Sequence, residues 1–309
     1  MAYRRVLVTG GAGFIGSHLV ERLLQEGLQV VVLDNLSVGK RENVPNGAEF
    51  VLGDVRDPVA VVTAMSGVDA VFHLAARVSI RASVASFYED AEINLMGTLN
   101  VLRACVSTGI KKFVYASSMA VYADADKPTP LPETYPTAPI SPYGIAKLAS
   151  ERYAMLVAAH SGFQAVALRY FNTYGPRQSF TPYVGVVTIF IQRLLRGEPP
   201  VIFGDGGQCR DFVYVGDVVE ATFRALVKPV HGEICNVGSG VGTSVNQIAA
   251  LLCERLAPDL KPQHVPAHPG ELRNSVADIR KAQSLLGYEP RGRLTEKIDE
   301  VIAWNRRSM

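Results

Sequence analysis

TGGAGFIG, residues 9–16, stands between a β-branched run, RRVLVT (4–9), and an amphipathic one, FIGSHLVERLLQEG (14–27). The run 4–9 reads as a strand. The second reads as a helix, because Ile15, Leu19, Leu23 and Leu24 recur at helical spacing and Gly27 is placed to end it. Gly10, Gly13 and Gly16 fall in the spacing G-x-x-G-x-x-G across the junction. Glycines there allow a tight turn and let a pyrophosphate approach the backbone, while the helix N-terminus offers N–H donors and a positive dipole. A strand, a glycine turn and a helix in this order predict a dinucleotide-binding loop.

Outward from the loop, short apolar runs alternate with longer amphipathic ones. Residues 28–34, 49–54, 69–75, 111–118 and 163–170 read as further strands, and 89–108 and 143–161 as long helices. Such alternation predicts an α/β fold, a Rossmann-type doubly wound parallel sheet. The stretch 127–142 holds six prolines and is expected to be an irregular surface loop. Beyond residue 172 the alternation breaks down, with helices expected near 184–196, 216–227, 244–256 and 294–304. This gives a nucleotide domain of 1–171 with 211–240, and a smaller α/β substrate-binding part of 172–210 with 241–309. Asp217 is expected to cap the helix near 216–227.

Composition narrows the function. The 309 residues are 48% hydrophobic and 19% charged, with no apolar run of the roughly 18 residues a bilayer span needs and no signal-peptide-like start. A cytoplasmic protein without membrane partners is expected. A net charge of +2 from scattered Lys and Arg gives no footprint for nucleic acid. Cys105, Cys209, Cys235 and Cys253 show no paired spacing, and Pro262, Pro266 and Pro269 keep His264 and His268 off a common helical face, so neither disulfides nor a metal site is expected. Small-molecule chemistry remains.

Two further features define that chemistry. Asp34, at the end of the second strand, is placed to accept hydrogen bonds from an adenosine ribose and to repel a 2′-phosphate, which favours NAD over NADP. Lys40 and Arg41 nearby keep NADP open. In SPYGIAK (141–147), Tyr143 and Lys147 are four apart at a helix start and share one face. An ammonium beside a phenol favours the phenolate; bringing a tyrosine from about 10 to about 7 takes roughly 4 kcal/mol, which a lysine and a nicotinium charge together could supply. The expected result is a general base.

The ordered series TGGAGFIG, HLAA (73–76), SSMAVY (117–122), YGIAK (143–147), RYFNTYGPR (169–177), GDGGQCRDFVYVGD (204–217) and PGELRNSVADIRKA (269–282) resembles the extended short-chain dehydrogenase/reductase family, most closely its UDP-hexose 4-epimerase branch. The resemblance spans essentially the whole chain. It implies that Tyr143 is the base, that Lys147 orients it and holds the nicotinamide ribose, and that Ser118 hydrogen-bonds the substrate. It implies an NAD site formed by Gly10, Gly13, Phe14, Ile15, Gly16, Asp34, Asn35, Asp54, Val55, Leu74, Ala75, Asn94 and Phe171 with the tyrosine and lysine. Asn172 and Arg210 match positions that contact UDP phosphates. His268 stands where relatives often carry an arginine, a contact Arg273 would then supply, and Ser275 matches a position whose size gates the sugar's 2-substituent. A homodimer paired through the long helices at 89–108 and 143–161 is implied as well.

Met119 and Ala120, after the serine, can neither give nor take a proton. Relatives that eliminate water or decarboxylate a sugar carry acidic residues there, so the sequence keeps the oxidation machinery and lacks the elimination machinery. C4 epimerisation of UDP-glucose and UDP-galactose, and of their N-acetylated counterparts, is the expected reaction. A net nucleotide-sugar reductase or dehydrogenase, and a silent binding protein, stand as alternatives.

Overall fold

The computed structural model describes residues 3–179, 185–267 and 273–308. Seven strands pair in parallel: β1 (Arg5–Thr9), β2 (Gln29–Asp34), β3 (Glu49–Leu52), β4 (Ala70–His73), β5 (Lys112–Ser118), β6 (Gln164–Tyr170) and β7 (Glu233–Val237), in the order β7-β6-β5-β4-β1-β2-β3. Six of them lie where the alternation predicts. The seventh, EICNV, has too few apolar residues to announce itself in sequence.

Alternation along each strand sends side chains to two faces, and both are buried. From β1 and β2, Val6, Val8, Val30 and Val32 join Leu19 and Leu23 of helix Phe14–Gln25 and Val218 of helix Val215–Val227 on one face. Leu7, Val31 and Leu33 join Val61 of helix Pro58–Ala64, Val101 and Leu102 of helix Gly97–Thr108, and Ala154 and Ala158 of helix Pro142–Ser161 on the other. The sheet is thus doubly wound. Its chain order reverses between β1 and β4, the place where a crevice opens beyond the strand ends.

A smaller sheet is built around Cys209–Tyr214, which pairs in parallel with Asn172–Tyr174 and Asn274–Ala277 and antiparallel with Gly242–Ser244. Helices Val186–Leu195, Val245–Leu256 and Leu294–Arg307 pack together through Phe190, Ile191, Ile248, Leu252, Ile298 and Val301. Ser244 and Gln247 close a capping box at the second of these.

Three expectations are corrected. The proline-rich stretch is not wholly irregular: Pro130 and Leu131 pair in parallel with Val276 and Ala277, an edge position where a missing N–H costs nothing. The helix expected at 89–108 begins at Phe87 and is broken by a π turn over Glu92–Met96 before resuming as Gly97–Thr108. Asp217 is not a cap, since Tyr214 holds that position; its carboxylate accepts from the N–H groups of Arg291 and Gly292, tying the C-terminal segment to the Val215–Val227 helix.

Candidate active site

At the β1 end, Gly10 adopts φ +73°, and a Cβ there would sit 2.8 Å from the Ala75 nitrogen. A Cβ on Gly16 would come 2.1 Å from the Gly10 carbonyl oxygen, so only glycine lets the helix start this close to the turn. Gly13 is the helix N-cap, with Phe14, Ile15 and Gly16 in the first turn. Asp34 closes the other wall. One carboxylate oxygen accepts from the Ala12 N–H at 2.9 Å and the other from Leu36 at 2.8 Å, which fixes the loop against β2. Carboxylate oxygens have lone pairs to spare for a ribose hydroxyl. Asn35 donates to Asp54 at 2.8 Å, and Arg56 grips Asp54 with two nitrogens, holding that carboxyl down to about 2. Val55 is buried beside Gly97. Leu74 and Ala75 leave β4 with their N–H groups donated to the carbonyl and hydroxyl of Thr9. Gly10 to Gly16, Asp34, Leu74 and Ala75 thus gather at the ends of β1, β2 and β4, where the chain order reverses.

A buried polar chain runs behind that rim. His73 holds Thr9 Oγ1 at 2.7 Å through Nδ1 and Thr98 Oγ1 at 3.0 Å through Nε2. Burial pushes its pKa down to about 3, so the ring is neutral. Thr98 in turn donates to the Asn94 carbonyl, which Ser150 also reaches. The Asn94 amide accepts from the Arg77 N–H and donates to the Arg77 carbonyl and to Asp90. The π turn is what brings this side chain inward, a device common at functional sites.

Ser118 ends β5, and Tyr143 and Lys147 share the first turns of the Pro142–Ser161 helix. Ser141 caps that helix, accepting from the Gly144 N–H at 3.1 Å. A Cβ on Gly144 would lie 2.3 Å from the Ala120 carbonyl oxygen, so the Met119–Val121 turn is the seat on which the helix start rests. Lys147 is 3% exposed; its ammonium donates to the Ala116 carbonyl at 2.8 Å and stands 5.0 Å from the Tyr115 ring and 5.9 Å from the Tyr143 ring. Ser117 faces away from Ser118 and donates to Glu151 at 2.8 Å. Glu151 is gripped by Arg169 at 2.6 and 3.0 Å in a fully buried pair that locks the helix to β5 and β6.

Burial pushes Tyr143 up to about 12 and the Asp90 charge adds to it, with only the Ser118 hydroxyl pulling down. The Lys147 ammonium is turned toward a backbone carbonyl, and burial lowers it in turn to about 8.

Phe171 follows β6 and is buried, its ring centroid 6.4 Å from that of Tyr122. Ser118 pairs in register with Tyr170, so Phe171 and Asn172 continue the chain beside the end of β5. Asn172 and Arg210 lie on adjacent strands of the small sheet, and Arg210 pairs with Ser275 on the next. The Asn172 amide nitrogen and the Ser275 hydroxyl are buried without a hydrogen-bond partner among the described residues. Arg273 is not gathered with them: its exposed guanidinium is held by Asp205 at 2.7 and 3.2 Å, and only its backbone carbonyl meets Arg210. His268 lies outside the described residues. Sequence reasoning missed Asp90, His73 and Glu151. Asp90 is four before Asn94 and Glu151 four after Lys147, spacings that put each on the same helical face as a residue the sequence singles out. Among the described residues no His, Cys, Asp and Glu cluster could hold a metal, and the four cysteines are free.

With this geometry in hand, the comparisons with known proteins agree. Residues 6–238 match the model of the NAD dependent epimerase/dehydratase family. UDP-glucose 4-epimerase of Mycolicibacterium smegmatis is 37% identical over 98% of both chains. The structure superposes on UDP-glucose 4-epimerase of Thermotoga maritima, solved with UDP-glucose, with a TM-score of 0.95 and 43% identity over 98% of this chain and 99% of that one. UDP-N-acetylglucosamine 4-epimerase of Methanobrevibacter ruminantium gives 0.94 at 35% identity, covering 100% of both. A parallel sheet reversing at a glycine turn, with serine, tyrosine and lysine at the ends of β5 and its neighbouring helix, places this chain in the NAD dependent epimerase/dehydratase family.

Proposed function

We propose that this protein epimerises UDP-hexoses at C4, using NAD that stays bound. The reading rests on one observation: Ser118, Tyr143 and Lys147 converge at the end of β5, while the adjoining turn carries only the buried, inert Met119 and Ala120. Ser118 orients the sugar's 4-hydroxyl, and Tyr143 Oη takes its proton. Lys147 holds the nicotinamide ribose and adds positive charge beside the phenol. NAD, when bound, accepts the C4 hydride and returns it. The 4-keto sugar turns over between the two transfers, and Tyr143 gives its proton back to the new hydroxyl. With no acid at 119 or 120, the keto sugar has no route to elimination.

A sugar that must turn cannot be gripped by its ring, so binding energy comes from the nucleotide diphosphate, through Asn172 and Arg210. Ser275 is small enough to leave room for a 2-acetamido group, and both UDP-glucose and UDP-N-acetylglucosamine, with their C4 epimers, are substrates. The smaller sheet and its helices form the nucleotide-sugar part of the chain. Phe87 and Tyr88 at the start of the first long helix, Ile145, Tyr153 and Leu156 on the second, and Val84 on the short helix Ile80–Ala85 before them are exposed apolar side chains, which supports a homodimer paired there. The free thiols suit a reducing cytoplasm, and interconversion of glucose and galactose nucleotides places the enzyme in galactose metabolism.

The test is purified protein with UDP-galactose and no added cofactor. UDP-glucose should form with no net change in nicotinamide absorbance. Absorbance changing in proportion to product would identify a net reductase, and no product with NAD supplied would remove the reading.

A further inference from the structure

Tyr115 lies in the middle of β5, 0% exposed, and no step of the proposed reaction uses it. Burial raises its phenol, so the side chain stays neutral and acts through its ring. The Lys147 ammonium stands over that ring, 5.0 Å from the centroid, inside the roughly 6 Å within which an aromatic face attracts a cation. The Tyr143 ring, at 5.9 Å, is at the edge of that reach.

Neighbours fix the plane of the Tyr115 ring. It pairs in register with His73 on β4, and the two rings stack at 5.9 Å with 27° between their planes. Phe113, two residues earlier on the same side of β5, stacks on Tyr115 at 6.3 Å and 10°. His73 is itself held by Thr9 on β1 and by Thr98. A chain of direct contacts thus runs from the strand that leads into the glycine turn, through His73 and Tyr115, to the lysine.

An ammonium has three N–H donors, and one of those on Lys147 goes to the Ala116 carbonyl at 2.8 Å. Taking a cation out of water is costly, and an aromatic face attracts it more strongly once water is gone. We propose that Tyr115 is a positioning residue for Lys147: its ring face and the Ala116 carbonyl together hold the ammonium charged and in place beside Tyr143. The proposal rests on the role given to Lys147 above. Tyr143 on its own helix, His73 on β4 and Asp90 on the Phe87–Ala91 helix also act on the ammonium, and Glu151, one turn on, is gripped by Arg169 and Ser117. Changing Tyr115 alone leaves all of these as they are.

The test drains the ring without changing its shape. Lysine carrying 13C at Cε is followed by NMR through a pH titration in Tyr115→Phe and in chains with mono-, di- and trifluorinated phenylalanine at position 115. Fluorine pulls electrons from the ring face and adds little bulk. The Lys147 midpoint should fall at each step, by about one pH unit over the series, because a weaker face favours the neutral amine. The alkaline limb of the kcat profile for UDP-galactose, where Lys147 loses its proton, should move with it. A midpoint that is the same throughout the series would leave Tyr115 as packing and overturn the proposal, and so would a midpoint that falls while the alkaline limb stays put. Should the fluorinated chains fail to fold, the wild-type spectrum decides. The ring current of Tyr115 should set the Lys147 Cε protons upfield of those of exposed lysines, and an unshifted pair overturns the proposal. The titration and the spectrum need no turnover. A protein inactive on UDP-sugars would therefore defeat the proposed function while these measurements still decided whether the ring holds the lysine.

Discussion

At residue scale the site depends on two side chains whose removal has opposite signatures. Tyr143→Phe keeps the ring, its packing and the Lys147 contact and removes only the hydroxyl. Turnover should fall by at least about a hundredfold, the lower bound for a general base, with UDP binding measured by calorimetry unchanged. Ser275→Tyr acts on substrate choice. The serine is 2% exposed, with a hydroxyl unpaired among the described residues, so a phenol ring placed there must fill the space beside it. Activity on UDP-N-acetylglucosamine should be lost while UDP-galactose turnover persists; equal loss of both would refute the gate. Individual residues were only partly legible. The glycine turn is legible from its place between a strand and a helix, and Tyr143 and Lys147 from their spacing of four at a helix start, whereas Ser118 is reached only through the family resemblance. Arg273 could not, since its exposed guanidinium is claimed by Asp205, 68 positions away, a pairing no local pattern encodes. The raised phenol was equally hidden, because it depends on how completely the folded chain shuts out water.

Elements were the most legible level, and the departures have physical causes. The π turn at Glu92–Met96 carries Asn94 to the Arg77 backbone, a contact made across the fold that no local pattern announces. Pro130–Leu131 pairs because Asn274–Ala277 offers it an edge, although nothing in a run of prolines suggests a strand. One element end is held by an unusual device. Lys112, 1% exposed at the start of β5, donates to the carbonyls of Leu226 at 3.2 Å and Lys228 at 2.8 Å, where the Val215–Val227 helix finishes. These carbonyls have no intrahelical donor, and the negative end of the helix dipole favours a cation. Lys112→Met should cost about 1 kcal/mol in denaturant unfolding, since the buried Leu226 carbonyl loses the ammonium while the Lys228 carbonyl keeps the Val230 N–H at 2.8 Å. Burial lowers the lysine from 10.5 to about 8, so the fold prefers the neutral amine more than the unfolded chain does. Between those values the unfolded state binds more protons, and wild-type stability gains with pH. The gap between wild type and variant should therefore widen from pH 8 toward 10.5; a constant gap would mean the lysine does not titrate in the fold.

For the whole molecule, the two layers divide the labour. The doubly wound sheet fixes the glycine turn, Asp34 and the Ser118–Tyr143–Lys147 group on rigid strand and helix ends, and the small sheet holds Asn172, Arg210 and Ser275 on neighbouring strands. The long helix that carries Tyr143 on its buried face shows Ile145, Tyr153 and Leu156 to solvent. Leu156→Glu, at a position 57% exposed in one chain, should leave the fold intact and convert a dimer to a monomer by sedimentation. An unchanged mass would contradict the proposed dimer through these helices. How the two layers meet was not legible from sequence, because it depends on pairings such as Phe212 with Asn172 and Arg210 with Ser275 between distant segments.

The central claim is that one hydride leaves C4 and the same hydride comes back. The most direct measurement is proton NMR of UDP-glucose formed from UDP-galactose carrying deuterium at C4, with unlabelled NADH in the medium. Retention of deuterium at C4 is the predicted result, since the cofactor never leaves and Tyr143 moves only the hydroxyl proton. Loss of the label to the medium or to added NADH would contradict it.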